Sequence, residues 1–154
     1  MKRQDTAPFA PFPFEPQTDI TKDRSTTNED RITIRIKILD IGQCGFDGPA
    51  MSQLFQKTLH ATVDNAPTAD DAVRHLADQK YNLALVNRIL AADGSSGIEL
   101  IQSLMKSGCT TPLMLVSDLP EAQATAIAHG ALRGFGKAEL ENPKTLELIR
   151  NAAR

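Results

Sequence analysis

The chain has 154 residues, enough for one domain with a real core, and its 41% apolar and 23% charged residues are ordinary for a soluble globular protein. A formal net charge of -2 without a basic stripe argues against nucleic acid, and no stretch reaches the length of a membrane span. Cys44 and Cys109 have neither metal-ligand spacing nor a secretory context, and no apolar segment follows Lys2 and Arg3, so the expected location is the cytoplasm.

Residues 1–30 differ from the rest. Ala7 to Pro16 alternates proline with phenylalanine, and Thr18 to Asp30 is polar and charged. Proline withholds the backbone donor that helices and sheets need, and little aliphatic surface is present for a core. The composition predicts a disordered leader. The alternative is a short extended docking segment whose aromatic rings fill pockets on another surface, or on this same domain.

The span 31–154 reads as one folded domain. Ile32, Ile34, Ile36 and Ile38 alternate with polar residues, a period of two that predicts a strand. A glycine-rich turn, Gly42 to Gly48, leads to Pro49 and a helix with Met51, Leu54, Phe55 and Leu59 at helical spacing. Ala61 to Val63 suits a short second strand, and Thr68 an N-cap with Asp71 three residues on. Tyr81 to Val86 is a compact apolar run suited to a strand covered on both faces. A polar loop, Ala91 to Ser96, precedes a helix with Ile98, Leu100, Ile101, Leu104 and Met105. Leu113 to Val116 is a fourth strand, and Pro120 opens a helix ending near His129 and Gly130. Arg133 to Gly136 is a weak fifth strand, and Pro143 opens the last helix. Strands alternating with helices predict an α/β domain: a doubly wound, five-stranded parallel sheet of flavodoxin-like form, with strand order 2-1-3-4-5. Its chemistry is expected at the carboxyl ends of the strands, just after Ile41, Val86, Val116 and Phe135.

Those strand ends carry a resemblance. The stretch Tyr81 to Asn87 (YNLALVN) resembles the third strand of CheY-like response-regulator receiver domains, which ends in their phosphorylated aspartate. Thr111 to Ser117 (TPLMLVS) resembles their fourth strand, ending in a phosphoryl-bonding Ser or Thr. Gly130 to Lys137 (GALRGFGK) resembles their fifth strand with its terminal lysine, and Gly97 matches the glycine that opens the third helix. From about Ile34 onward the chain is similar to that family.

The departures make the resemblance that of a degenerate, or pseudo-, receiver. The phosphoacceptor position holds Asn87, and a neutral amide is no nucleophile toward phosphorus. The two adjacent metal-binding acids of the family align with Gly42 and Gln43, leaving no anionic ligand for Mg²⁺. A one-residue slip of that alignment would turn Asp40 to another face. Ser117 and Lys137 stand at the retained switch positions. The resemblance implies that Lys137 donates to the Asn87 side-chain oxygen, against a plain solvated lysine, and that Ser117 binds a phosphoryl group, against a simple helix cap. Gly134 occupies the place of the family's switching aromatic. The loop Ala91 to Gly97 exceeds the usual turn by about two residues; Asp93 within it either shapes a tight turn or reaches over the pocket as a substitute acid.

The function implied is that of an atypical single-domain receiver in two-component-type signalling, acting by phosphorylation-independent protein–protein interaction. Its partner would be another signalling protein, or a second copy in a homodimer, met through the last two helices and fifth strand at Glu121, Gln123, Arg133, Lys137 and Glu147. No enzyme activity, cofactor, metal, nucleic acid or membrane is implied. In the alternative, a phosphate or other anion still switches the domain through Asp40, Asp93 or Asp118. In a third, the fold binds a small cofactor. Gly42-x-x-Gly45-x-x-Gly48 hints at a phosphate cradle without the dinucleotide spacing. Asp40-x-Gly42-x-x-Gly45 resembles the cobalamin-domain pattern with glycine in place of the metal-binding histidine.

Overall fold

The computed structural model describes residues 35–154. The Phe-Pro leader, Ile32 and Ile34 lie outside the described residues. Strands and helices alternate as β1 (Lys37–Ile41), α1 (Asp47–Leu59), β2 (Thr62–Ala66), α2 (Ala69–Asp78), β3 (Leu83–Asn87), α3 (Gly97–Lys106), β4 (Leu113–Val116), α4 (Pro120–Ala128), β5 (Leu132–Phe135) and α5 (Pro143–Ala152), with a 3-10 turn at Lys137–Glu139. The sheet is parallel throughout, in the order β2-β1-β3-β4-β5 that the sequence predicts.

The boundaries follow local chemistry. Among the described residues β1 starts at Lys37, and Ile38 to Ile41 are all buried. A strand enclosed on both faces reads as a continuous run, not an alternation. α1 begins two residues ahead of Pro49, which still falls among the first-turn positions whose N–H has no intrahelical acceptor. β2 is shifted to Thr62–Ala66, where only Ala66 is fully buried, so this edge strand has little hydrophobic signal. The Thr68 hydroxyl caps α2 by accepting from the Asp71 N–H at 3.1 Å, as the sequence predicts.

Two apolar layers close the sheet. Ile38, Leu83, Leu85, Met114 and Phe135 face Met51, Phe55 and Leu59 of α1 and Ile149 of α5. On the other face Leu39, Ile41, Ala84, Val86 and Leu115 meet Ala72 of α2, Leu100 and Ile101 of α3 and Ala126 of α4. Asp40 follows Ile38 by two, so its side chain belongs to the α1–α5 face, inside the apolar layer.

Candidate functional site

Asn87 ends β3 and is half-buried. Its side-chain Nδ2 donates to the Ile89 carbonyl at 2.8 Å and to the Gly42 carbonyl at 3.2 Å. Gly42 is the first residue after β1, and its carbonyl also accepts from the Ala91 N–H at 2.9 Å. The amide therefore ties the end of β1 to the loop after β3 by donating, which a carboxylate cannot do. Gly42 itself sits at φ +80°, and a Cβ there would lie 2.2 Å from Leu90 Cδ2. An acidic side chain has no room at that position.

Lys137 corrects one expectation. Its Nζ donates to Asp47 Oδ2 at 2.7 Å, in the first turn of α1, and not to Asn87. That bond holds the Asp47 carboxyl below the usual carboxylate range. Both partners are about one-third exposed, so solvent screens the pair. The family-type pairing fails because an acid in the first helical turn, where the macrodipole favours negative charge, is a better acceptor for an ammonium than a neutral amide.

Among the described residues Asp40 is the buried ionisable side chain, 1% exposed, with neither oxygen in a hydrogen bond. Burial pushes its carboxyl up to about 7; the neighbouring Gln43 amide and the Lys137 charge oppose the rise, and Asp47 adds to it. Gln43 is close enough to act on Asp40 yet lacks hydrogen-bond geometry with it. By the β1–β3 register Asp40 pairs with Leu85, one layer below Asn87 on the same face. Gly42 and Gln43 thus stand just past the strand end, as the family alignment places them.

The remaining candidates serve their own loops. Ser117 Oγ accepts from the Leu119 N–H at 3.1 Å and so shapes the turn before α4, whose N-cap residue is Leu119 and whose first turn has no side-chain cap. Asp93 Oδ1 accepts from the Ser95 N–H at 3.0 Å and its hydroxyl at 2.7 Å, and these bonds hold its carboxyl below the usual range. Asp93 therefore shapes its turn and does not reach Asn87. Asp118 Oδ1 faces the Ala138 N–H at 3.4 Å.

Gln123 is a second correction. Its amide nitrogen donates to the carbonyls of Leu115 (2.9 Å) and Ser117 (3.1 Å), and its oxygen accepts from the Gly134 N–H at 3.0 Å. This side chain stitches α4 to β4 and β5 and is not free for a partner. It spans the place where β4–β5 pairing shifts register between Met114↔Leu132 and Val116↔Phe135. A Cβ on Gly134 would lie 2.0 Å from the Leu115 carbonyl oxygen, so no aromatic ring fits there. Gln123→Ala should cost about 1–2 kcal/mol in chemical denaturation, since it leaves two carbonyls and one buried N–H without that partner. Glu121, Arg133 and Glu147 are exposed. Ile127 of α4 and Leu132 of β5 are each 43% exposed, apolar residues that the charged candidates do not include.

The receiver metal does not fit these residues. Gly42, Gln43 and Asn87 supply no anionic oxygen, and Asp47 is engaged by Lys137. Among the described residues no group of three or more His, Cys, Asp or Glu is placed to hold a metal.

No protein-family model matches the sequence, and no curated protein does. Solved structures do. The receiver domain of the Francisella response regulator 1452 is similar with a TM-score of 0.62 at 16% identity, over 77% of this chain and 93% of that one. The BeF3-activated N-terminal receiver domain of Klebsiella pneumoniae RstA gives 0.66 at 22% identity, over 77% and 98%. NtrX from Brucella abortus gives 0.66 at 19% identity, with 78% of this chain covered but 27% of that longer one. At these identities the likeness is one of fold: the described residues carry the CheY-like receiver fold. No described helix is long and apolar enough to cross a membrane.

Proposed function

We propose that this chain is a pseudo-receiver of the two-component type, a cytoplasmic, non-enzymatic module that signals by binding another signalling protein or a second copy of itself. The observation that carries the reading is the Asn87 side chain, whose amide nitrogen donates to two backbone carbonyls where a receiver would offer a nucleophile. The Lys137–Asp47 pair supports it, because the lysine that would meet a phosphoryl group already has an anion. The partner surface is the α4–β5–α5 face, which offers the exposed apolar residues Ile127 and Leu132 and the exposed charged residues Glu121, Arg133 and Glu147.

The test is intact mass after incubation with Mg²⁺ and acetyl phosphate. The parent protein should gain no phosphoryl adduct. An adduct overturns the reading, and mapping it would identify the substitute acceptor.

A further inference from the structure

Among the described residues, the buried side-chain polar atoms without a hydrogen-bond partner belong to three side chains: both oxygens of Asp40, both amide heavy atoms of Gln43, and Oγ of Ser52. Asp40 and Gln43 meet at one junction, where a Cβ on Gly48 would lie 3.8 Å from Asp40 Oδ2 and 3.6 Å from Gln43 Cβ. Asp40 lies in β1, Gln43 in the loop that follows, and Ser52 one turn beyond Gly48 on the same stripe of α1. Buried polar groups in folded proteins are nearly always partnered, so two such side chains together call for a missing partner.

Beside them opens a cleft of about 550 Å³ between the ends of β1 and β2 and the start of α1. Asp40, Gln43 and Asn65 supply its polar lining, with the Cys44 thiol beside them, and Pro49, Ala66, Pro67 and Ala92 supply apolar walls. Two proline rings and two methyl groups suit a flat ring. A carboxyl accepts two N–H groups side by side, and a primary amide beside it adds one donor and one acceptor. Both Asp40 oxygens and both Gln43 amide atoms are buried, so a ligand engages them only once the Gln43 side chain, which no hydrogen bond holds in place, swings aside.

We propose that this cleft binds a small planar molecule presenting an amidine-type N–C–N edge, as in an amidinium, an aminopyridinium or the equivalent edge of a nucleobase, with Asp40 and Gln43 as its polar anchors. The site is independent of whether Asn87 can be bypassed in phosphotransfer.

The probe is benzamidine, titrated into the full chain by calorimetry and by amide nuclear magnetic resonance. The expected result is saturable one-to-one binding, with shifts centred on residues 40–48 and 65–67. Asp40→Asn, which keeps the shape and removes the charge, should weaken binding at least tenfold. Gly48→Ala provides a second arm for a variant that keeps the fold: its added Cβ would lie 3.5 Å from Asn65 Oδ1 and 3.8 Å from Asp40 Oδ2, ordinary contacts that narrow the cleft. It should weaken binding severalfold with an unchanged or higher melting temperature, since alanine at this first-turn position leaves the unfolded chain less freedom than glycine does. Absence of saturable shifts at millimolar benzamidine overturns the proposal, as does binding that both variants leave intact; water alone would then partner these groups.

Discussion

At pH 8 the Asp40→Asn protein should be about 4 kcal/mol more stable than its parent, whereas near pH 4 the two should be nearly equal. The Asp40 carboxyl ionises near its ordinary value of 3.8 in the unfolded chain and near 7 in the folded one. Below pH 3.8 both states hold the proton, and the group adds no pH dependence. Between 3.8 and 7 unfolding releases that proton, so rising pH favours the unfolded chain and stability is lost steadily. Above 7 both states are ionised and the loss is complete. At about 1.4 kcal/mol for each tenfold change in proton affinity, the full loss is about 4 kcal/mol. Asparagine keeps the size and removes the ionisation, so its urea midpoint should stay flat across this window. A parent whose stability does not fall between pH 4 and 7 would show that Asp40 is solvated or paired in solution.

The second large effect is expected from Asn87→Asp. The substitution looks like a repair of the phosphoacceptor, yet it removes the donor that meets two carbonyls and sets an anion 2.8 Å from the Ile89 oxygen and 3.2 Å from the Gly42 oxygen. The Ile89 carbonyl loses its amide donor, the Gly42 carbonyl keeps only the Ala91 N–H, and both face a like charge, a loss of about 2–3 kcal/mol at pH 7. The loss should shrink in acid, where a protonated carboxyl again donates to one carbonyl. The variant should also stay unmodified by acetyl phosphate, because residue 42 has no space for a carboxylate and residue 43 is an amide. A variant as stable as the parent at neutral pH, or one that takes up phosphate, would show that the site keeps more receiver chemistry than its hydrogen bonds allow.

Element order, strand order and most helix starts were legible because they rest on local chemistry: Thr68 as a cap, Pro120 and Pro143 at helix openings, and the apolar run Leu113 to Val116. The lost nucleophile was legible too, as the single letter at residue 87. What the amide does instead was not, because its acceptors are backbone carbonyls that any residue could supply. The partner of Lys137 was hidden by sequence distance, and Gln123 looked like any polar residue on a helix surface. The one available hint for Asp40 was a charged letter inside the apolar run Ile38 to Ile41. A slip of register accounts for such a letter in sequence, and so does a carboxyl held inside the core.

The bridge between Asp47 and Lys137 spans 90 positions of the chain. Asp47 is made just after the first strand, while its partner follows the fifth. During synthesis from the N-terminus the early acid therefore waits, solvated, until nearly the whole sheet has left the ribosome. The closing of this surface is a late event that reports a finished sheet, so a truncated chain ending before residue 137 would display Asp47 open to any other cation.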